Sequence, residues 1–305
     1  MTITTRKIYV TGAAGFIGRY LLPALIERGH EVIATDVAAP AEDPGCRFET
    51  ADIRDNLRHA PLVAQCDTVV HCGGISGPML MQDNPAEVLD INIKGTLGLL
   101  SLARSFGLRR FVGLSSVSAY GTTPDMAMAG EDTPLCASNA YGTSKAAGDH
   151  LIQCYAGEYG LSAAALRVGW VYGPGRATDA ILQPCVRSAR GEPYAIPEGG
   201  DHRLQFVHVR DVVSAIIATV EAESLASSAY NVNGAETFTV REVVDMVKAC
   251  LPDVSVEVGP GLLPGTDVQA PMDLSRAAHE LGWTPQIGFA EGLAPYVDWL
   301  QEHPF

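Results

Sequence analysis

Residues 11–18 read TGAAGFIG and stand between a strand-like run at 7–10 and a helical segment at 16–28. The three glycines of this stretch follow one another at a constant spacing. A pyrophosphate group needs free backbone N–H groups at the start of a helix, and it needs glycines because a Cβ would block its approach. The stretch therefore predicts a dinucleotide-binding turn, although a merely tight connection between strand and helix would have a similar pattern.

The sequence on both sides of this turn alternates between strand and helix. Strand-like runs occupy 31–35, 47–50, 68–72, 110–114 and 163–171, and helical segments occupy 86–106 and 141–159. This order predicts the α/β class, with a Rossmann-type, doubly wound parallel sheet. After residue 173, glycine, proline and short helices at 212–222 and 240–249 become frequent. We predict a dinucleotide-binding domain over 1–173 and a smaller, mixed α/β substrate-binding part over 174–305, interwoven with the first.

An acidic residue, Asp36, ends the second predicted strand. A carboxylate at this place can accept hydrogen bonds from the adenosine ribose and would repel a ribose 2′-phosphate. The chain continues with Val37 to Pro40, without an arginine that could hold such a phosphate. The pattern therefore favours NAD over NADP as the cofactor, and the plainer alternative is an aspartate that only stabilises a turn.

Tyr141 and Lys145 are four residues apart on a predicted helix, so they lie on one face of it. Upstream, Ser115 and Ser116 end a strand, at the edge of the sheet where ligands bind. A neighbouring ammonium favours the phenolate form of a tyrosine, which can take a proton from a substrate hydroxyl as a hydride leaves. A serine can hold the same oxygen. The alternative is that the tyrosine only packs at the helix start and the lysine is a solvated charge.

The composition limits the classes of partner. The chain has 305 residues, with 21 Lys and Arg against 35 Asp and Glu, which gives a formal charge of −14. Such a surface should repel nucleic acids and anionic membranes, and the longest apolar stretches are too short to span a bilayer. The seven cysteines are scattered without a CxxC pair, which indicates no metal site and a reduced, cytoplasmic protein.

Taken together, these motifs resemble the NAD-dependent epimerase/dehydratase family, the extended short-chain dehydrogenase/reductases, over nearly the whole chain. The motifs that carry the resemblance are TGAAGFIG (11–18), VVHCGG (69–74), NIKGT (92–96), LSSVSAYG (114–121), YGTSK (141–145), LRVGWVYGPG (166–175), FVHVRD (206–211) and YNVNG (230–234). Several independent motifs in the right order make a chance likeness remote. The resemblance implies an enzyme with NAD as cofactor and a small, sugar-derived substrate.

The resemblance also implies a role for each matching position. The positions that match contacts to the pyrophosphate, the adenosine ribose and the adenine are Gly12, Gly15, Phe16, Ile17, Asp36, Asp52 and Ile53. The positions that match the middle of the groove, the support of the active-site helix and the nicotinamide contact are Cys72, Gly73, Gly74, Asn92 and Val168. The catalytic positions are Ser116, Tyr141 and Lys145, and the tyrosine and lysine also contact the cofactor.

Three departures from the family pattern concern the substrate. Relatives that bind nucleotide sugars usually have an asparagine where this chain has Trp170, and Arg-Asp where it has Leu204-Gln205, although Arg203 is adjacent. The segment that helps to hold the diphosphate in such relatives corresponds to residues 263–266, which contain no arginine. Because a buried diphosphate needs charge-assisted hydrogen bonds, these departures weaken the prediction of a nucleotide-sugar substrate.

A short likeness to uronate dehydrogenases, which oxidise a free sugar acid, lies in HCGGIS at 71–76. It would place Ser76 and Ser118 on the substrate, with Arg176 as a partner for the substrate carboxylate. The plainer alternatives are a serine that caps a loop, a solvated arginine and, for Trp170, simple core packing.

Three hypotheses about function remain. The preferred one is an oxidoreductase that oxidises a hydroxyl of a sugar or sugar acid and releases NADH. The second is a nucleotide-sugar epimerase or dehydratase that retains and regenerates NAD. The third is a binding protein that senses NAD, which the presence of both Tyr141 and Lys145 disfavours. A homodimer through the helices at 86–106 and 141–159 is also predicted, but the apolar residues Leu97, Leu100 and Ile152 could instead face the protein's own sheet.

Overall fold

The computed structural model describes residues 5–123, 126–176 and 178–303. Its strands are Lys7–Thr11 (β1), Glu31–Asp36 (β2), Arg47–Thr50 (β3), Thr68–His71 (β4), Arg110–Ser116 (β5), Ala163–Val168 (β6), Trp170–Tyr172 (β7), Tyr194–Ile196 (β8), Arg203–Leu204 (β9), Phe206–His208 (β10), Ala229–Val232 (β11), Phe238–Thr239 (β12) and Val256–Val258 (β13). Seven of them form one parallel sheet in the order β11-β6-β5-β4-β1-β2-β3. The strand order reverses at β1 and β4, where sheets of this kind open a crevice for ligands. The predicted doubly wound α/β class is confirmed.

Helices cover both faces of this sheet. They are Phe16–Glu27 (α1), Asn56–Val63 (α2), Pro85–Ser105 (α3), Ala140–Tyr159 (α4), Leu182–Ser188 (α5), Val209–Glu221 (α6), Val240–Cys250 (α7), Ser275–Leu281 (α8) and Phe289–Glu302 (α9). Helices α1 and α6 pack over Val10, whereas α2, α3 and α4 pack over Tyr9. Neighbouring residues of a strand point to opposite faces, so β1 is buried from both sides. Within the described ranges, no helix is long and apolar enough to cross a membrane.

Local sequence fixes both ends of α4, which carries the predicted tyrosine and lysine. The Asn139 side chain accepts a hydrogen bond from Gly142 N at 2.9 Å and caps the helix start. Such a cap typically stabilises a protein by about 1 kcal/mol. Gly160 ends the helix with a φ of 67°, a conformation that glycine adopts easily. Tyr141 therefore lies in the first turn of the helix, and Lys145 lies one turn later.

The strand predicted at 163–171 is interrupted at Gly169, which corrects the sequence prediction. The Gly169 N–H donates to Val232 O at 3.0 Å. A Cβ on this glycine would lie 2.0 Å from Asn233 Oδ1, so the Asn233 side chain leaves no room for any residue other than glycine. The chain leaves the central sheet here, and the following residues form β7, which pairs with β10 instead.

The later part of the chain builds a second apolar core. Phe206 stacks on Phe289 with 4.6 Å between ring centroids, and Tyr172 meets both rings edge-on. Strand β11 and helix α6 nevertheless return to the central sheet and its core. The two parts therefore share elements, and the boundary at residues 173 and 174 stays a prediction.

Candidate active site

The glycine turn between β1 and α1 leaves the start of the helix accessible. Gly12 has a φ of +69°, and a Cβ at this residue would lie 2.6 Å from the carbonyl carbon of Cys72. Gly15 directly precedes the helix, and no side chain among the described residues caps it. The N–H groups of Phe16 and Ile17, at the first two helical positions, are therefore available to an anion. The turn has the donors and the space that a pyrophosphate requires.

The acidic residues expected at the adenosine end are held by different partners. Asp36 ends β2, and its Oδ2 accepts a hydrogen bond from Ala14 N of the glycine turn at 3.0 Å. Asp52 pairs with Arg54 at 2.7 Å, and this hydrogen-bonded guanidinium keeps the pKa of the Asp52 carboxyl below its usual value. Asp36 thus stands beside the predicted pyrophosphate turn, where its carboxylate can accept hydrogen bonds from a ribose.

The loop after β4 and helix α4 are joined by a side chain of α3. Asn92 Oδ1 accepts a hydrogen bond from Ile75 N at 2.8 Å, and its Nδ2 donates to Ser144 Oγ at 2.8 Å. Gly74 has a φ of +132° and approaches Asn92 closely, because a Cβ there would lie 2.6 Å from Oδ1. Asn92 therefore fixes the groove loop relative to the helix that carries Tyr141. This geometry fits the supporting role that the resemblance implies.

The absence of a side chain at Gly73 allows the loop after β4 to contact Ile53, a residue predicted to lie beside the adenine. A Cβ on Gly73 would lie 2.9 Å from Ile53 Cγ2, and the Gly73 N–H donates to Thr11 Oγ1 at 3.2 Å. Two predicted cofactor positions, Ile53 and Gly73, are therefore in contact. Val168 ends β6 and pairs with Ser116, so the predicted nicotinamide position lies beside the predicted catalytic serine.

The three predicted catalytic residues lie near the carboxyl ends of the central strands. Ser116 is the last residue of β5, and Tyr141 is buried in the first turn of α4. Lys145 Nζ lies 5.9 Å from the centroid of the Tyr141 ring and donates to Leu114 O of β5 at 2.9 Å. The ammonium is thus fixed between the tyrosine and the strand that ends in the serine. This arrangement can support proton transfer to the phenolic oxygen.

Buried His71 was not a candidate in the sequence analysis, and half-buried Cys72 was predicted only as a position lining the groove. His71 Nδ1 lies 2.7 Å from Thr11 Oγ1, and its Nε2 lies 3.1 Å from Thr96 Oγ1. Burial lowers the pKa of His71 to about 3, and it raises the pKa of the Cys72 thiol to about 12. Both groups are therefore neutral near pH 7. Their only sequence signal is their place in the VVHCGG motif.

A buried ion pair fixes the rear of α4, and sequence reasoning did not identify it. Arg167 of β6 donates from Nε to Asp149 Oδ2 at 2.8 Å, with both side chains at most 2% exposed. Arg167 Nη1 also donates to Tyr120 Oη at 2.8 Å. Burial alone would lower the pKa of Arg167, but the bonds and charge of Asp149 raise it overall. The available signal was an arginine in an apolar strand, since such a charge requires a buried acid.

The candidate substrate residues do not all gather in one place. Trp170 and Arg203 line a small cavity in the later part of the chain, whose other polar lining residues are His202, Gln205, Asn233, Thr237, Asp267 and Gln269. Ser118 O lies against Gly142 at the start of α4, and Ser76 is exposed in the loop after β4. Arg176 lies elsewhere, with its guanidinium carbon 5.6 Å from the centroid of the Phe16 ring.

Gln269 and Asp267 link this cavity to the chain segment that follows the catalytic strand β5. Gln269 Nε2 donates to Val117 O, directly after Ser116, at 2.7 Å. Asp267 accepts hydrogen bonds from Thr122 Oγ1 and Ser138 Oγ, which both lie in the connection between the end of β5 and the start of α4. The cavity therefore adjoins the catalytic residues, and Gln269 and Asp267 are candidate substrate contacts that the sequence did not reveal.

Comparison with known proteins identifies the family. The model of the NAD-dependent epimerase/dehydratase family matches residues 8–233, and the chain belongs to this family. A dTDP-4-dehydro-6-deoxy-D-allose reductase from a Streptomyces species is 30% identical, with 98% of this chain and 97% of that protein covered. The family assignment confirms that the protein is an NAD-dependent enzyme and that its cofactor is NAD.

Two solved structures are similar over almost their whole length. MoeE5 in complex with UDP-glucuronic acid and NAD has a TM-score of 0.88 and 30% identity, with 97% of this chain and 99% of that chain covered. The dTDP-glucose 4,6-dehydratase DesIV from Streptomyces venezuelae, crystallised with NAD, has a TM-score of 0.87 and 28% identity, with 97% of each chain covered. Both likenesses extend through the later part of the chain as well as the central sheet.

Proposed function

We propose that this enzyme oxidises a hydroxyl of a nucleotide-linked sugar and then returns the hydride to the sugar-derived intermediate, so that NAD is regenerated. The support comes from the relatives, which include a dTDP-sugar reductase, a dTDP-glucose dehydratase and a protein crystallised with UDP-glucuronic acid. These relatives favour this hypothesis over the net oxidation of a free sugar or sugar acid that the sequence pattern favoured. Under this proposal the diphosphate of the substrate is bound without the arginines that relatives usually have at Leu204 and in residues 263–266.

The observation that carries the chemistry is the position of Lys145 between the Tyr141 ring and β5. NAD, when bound, supplies the hydride acceptor. Tyr141 Oη takes the proton of the substrate hydroxyl as the hydride leaves, and the Lys145 ammonium stabilises the phenolate. Ser116 Oγ hydrogen-bonds the same substrate oxygen and holds it while a carbonyl forms.

A second candidate function, the net oxidation of a free sugar acid, is favoured by the cavity lining. Leu204 stands where nucleotide-sugar relatives usually have an arginine. It is 4% exposed and packs in the second apolar core, so this position contributes packing instead of a positive charge. Among the described lining residues, Arg203 is the cationic side chain, and Asp267 carries an opposite charge in the same cavity. A single cation beside a carboxylate compensates little of the charge of a diphosphate, whereas the one carboxylate of a sugar acid requires less compensation.

The deciding experiment follows both NADH and the organic product. The purified protein is mixed with excess NAD and either nucleotide sugars or free sugars and sugar acids, with absorbance at the NADH band and chromatography as readouts. Conversion of a nucleotide sugar without accumulation of NADH is the expected result. Stoichiometric NADH with a free sugar acid, and no conversion of any nucleotide sugar, would establish the second candidate instead.

The catalytic assignment has its own test in two tyrosine variants of the same helix. Tyr141→Phe should lower turnover by about 10²-fold or more, because general base catalysis contributes roughly 10²–10⁴. NAD binding should stay close to that of the wild type. The matched control is Tyr155→Phe, since Tyr155 Oη bonds Ser101 Oγ at 2.9 Å on the outer side of α4. Equal turnover by Tyr141→Phe and the wild type would show that the tyrosine is not the base.

We also propose a homodimer in which a second copy covers the outer face of α3 and α4. Leu97, Phe106 and Tyr159 on these helices are 40%, 46% and 43% exposed, whereas Leu100 and Ile152 face the protein's own sheet. Light scattering after gel filtration should give twice the chain mass, and Leu97→Glu should give a monomer. A monomeric wild type would contradict the proposal. The cytoplasmic location stays a prediction.

A further inference from the structure

The loop after β7 lies directly on the first turn of α1. Arg19 Nη2 donates to Gly175 O at 3.1 Å, and Tyr20 Oη donates to Pro174 O at 2.8 Å. Gly175 has a φ of +88° and approaches the Phe16 ring, because a Cβ there would lie 3.7 Å from its edge. Residues 173–176 are therefore held beside the turn whose N–H groups face the cofactor groove.

This contact places a guanidinium at the glycine turn. The Arg176 guanidinium carbon lies 5.6 Å from the Phe16 ring centroid, in the geometry of a cation–π contact. Tyr296 Oη donates to Arg176 O at 3.1 Å and fixes the backbone, while Arg176 Nε donates to Thr178 O at 3.0 Å. Within the described part of the chain, the two terminal nitrogens of Arg176 have no hydrogen-bond acceptor. They remain available to an anionic ligand.

The start of α1 alone cannot compensate the negative charge of a bound pyrophosphate, so a positively charged side chain beside it would strengthen binding. The pyrophosphate of NAD carries two negative charges, whereas a helix start supplies the equivalent of about half a positive charge. The first turn of α1 contains no acidic residue. Asp179 interacts electrostatically with Arg176, but its Oδ1 accepts hydrogen bonds from the N–H groups of Ile181 and Leu182 at the start of α5. Phe16, over which Arg176 lies, is the first helical residue, and its own N–H is one of the donors at this place.

We infer that Arg176 binds the pyrophosphate of NAD through its terminal nitrogens, with the Phe16 ring, Thr178 and Tyr296 holding it in place. This inference rests on the proposed function only in requiring that NAD occupies the groove. It reassigns Arg176 from a substrate carboxylate, which the sequence suggested, to the cofactor. The structure supports the reassignment because Arg176 does not line the cavity of Trp170 and Arg203.

The test measures NAD binding without turnover, by calorimetric titration of NAD into protein freed of bound nucleotide. Arg176→Ala should weaken NAD binding by about tenfold or more, as expected for a lost charge-assisted hydrogen bond. Arg176→Gln should lose as much, whereas Arg176→Lys should lose less because it keeps the charge. The dependence of the dissociation constant on salt concentration should be weaker in Arg176→Ala than in the wild type.

Controls separate this inference from general effects of charge or folding. Arg187→Ala removes an exposed arginine that pairs with Glu192 on the surface, and it should bind NAD like the wild type. Thermal melts should show all variants folded. Wild-type affinity in Arg176→Ala or in Arg176→Gln would overturn the inference, because only packing on Phe16 would then remain. Failure of the wild type to bind NAD would instead contradict the proposed function.

Discussion

Removal of Asp149 should destabilise this protein more than almost any other single change in α4. Its Oδ2 accepts from Arg167 Nε at 2.8 Å and its Oδ1 accepts from Arg167 Nη2 at 3.0 Å, with exposures of 0% and 2% for the two side chains. Asp149→Ala leaves the guanidinium buried without its counter-charge. Breaking such a pair costs about 3–5 kcal/mol, which is a large part of a typical stability of about 5–15 kcal/mol.

The assay is equilibrium unfolding in urea, with the free energy of unfolding extrapolated to water. The matched control is Arg187→Ala, whose exposed pair with Glu192 should contribute at most about 1 kcal/mol. Asp149→Leu combined with Arg167→Met should recover much of the loss, because an apolar pair of similar volume removes both charges from the core. Asp149→Asn keeps the side-chain volume and should lie between the wild type and Asp149→Ala.

The same variants should report on catalysis, since Asp149 lies one turn after Lys145 on α4. Arg167 also donates to Tyr120 Oη, close in sequence to Ser116, so the pair connects α4 to the end of β5. Asp149→Asn should therefore lower kcat more than it raises the KM for NAD. A free energy of unfolding within about 1 kcal/mol of the wild type in Asp149→Ala would refute this account of the buried pair.

Three further predictions follow from local geometry and burial. Gly12→Ala should weaken NAD binding and lower the free energy of unfolding, because its φ is +69° and a Cβ would lie 2.6 Å from the carbonyl carbon of Cys72. Calorimetric titration with NAD measures the first effect and urea unfolding the second. An affinity close to that of the wild type would contradict the turn geometry. Burial lowers the pKa of His71 to about 3 from an unfolded value of 6.5, so its contribution to stability is present above pH 6.5 and is lost as the pH falls towards 3. Between pH 7 and pH 5 this linkage amounts to about 2 kcal/mol, and urea unfolding of the wild type and His71→Asn at both values should show a weaker pH dependence in the variant. Desolvation raises the pKa of the half-buried Cys72 thiol to about 12, so iodoacetamide at pH 8 should modify it far more slowly than the exposed Cys136 in the native protein. Peptide mass spectrometry distinguishes the two, and labelling of Cys72 at the rate of Cys136 would contradict the raised pKa.

Local spacing explains why so much of the central sheet could be predicted. The first strand and first helix agree with their predicted bounds to within one residue, since β1 is Lys7–Thr11 and α1 is Phe16–Glu27. The pattern missed α2, which has only eight residues and contains Pro61. It also extended β6 through Gly169, because an apolar run does not show where a strand changes its partner.

The sequence by itself determined the glycine turn, the acid after β2, and the tyrosine and lysine on one helix face, and with them the family and its cofactor. Each of these depends on neighbours within a few residues, whose geometry the helix and strand periods fix. Only the tertiary structure decided that Arg167 pairs with Asp149 and that Arg176 lies over Phe16 instead of in the cavity of Trp170. Such contacts join residues that are distant in the chain, and their distances depend on how whole elements pack rather than on any local spacing.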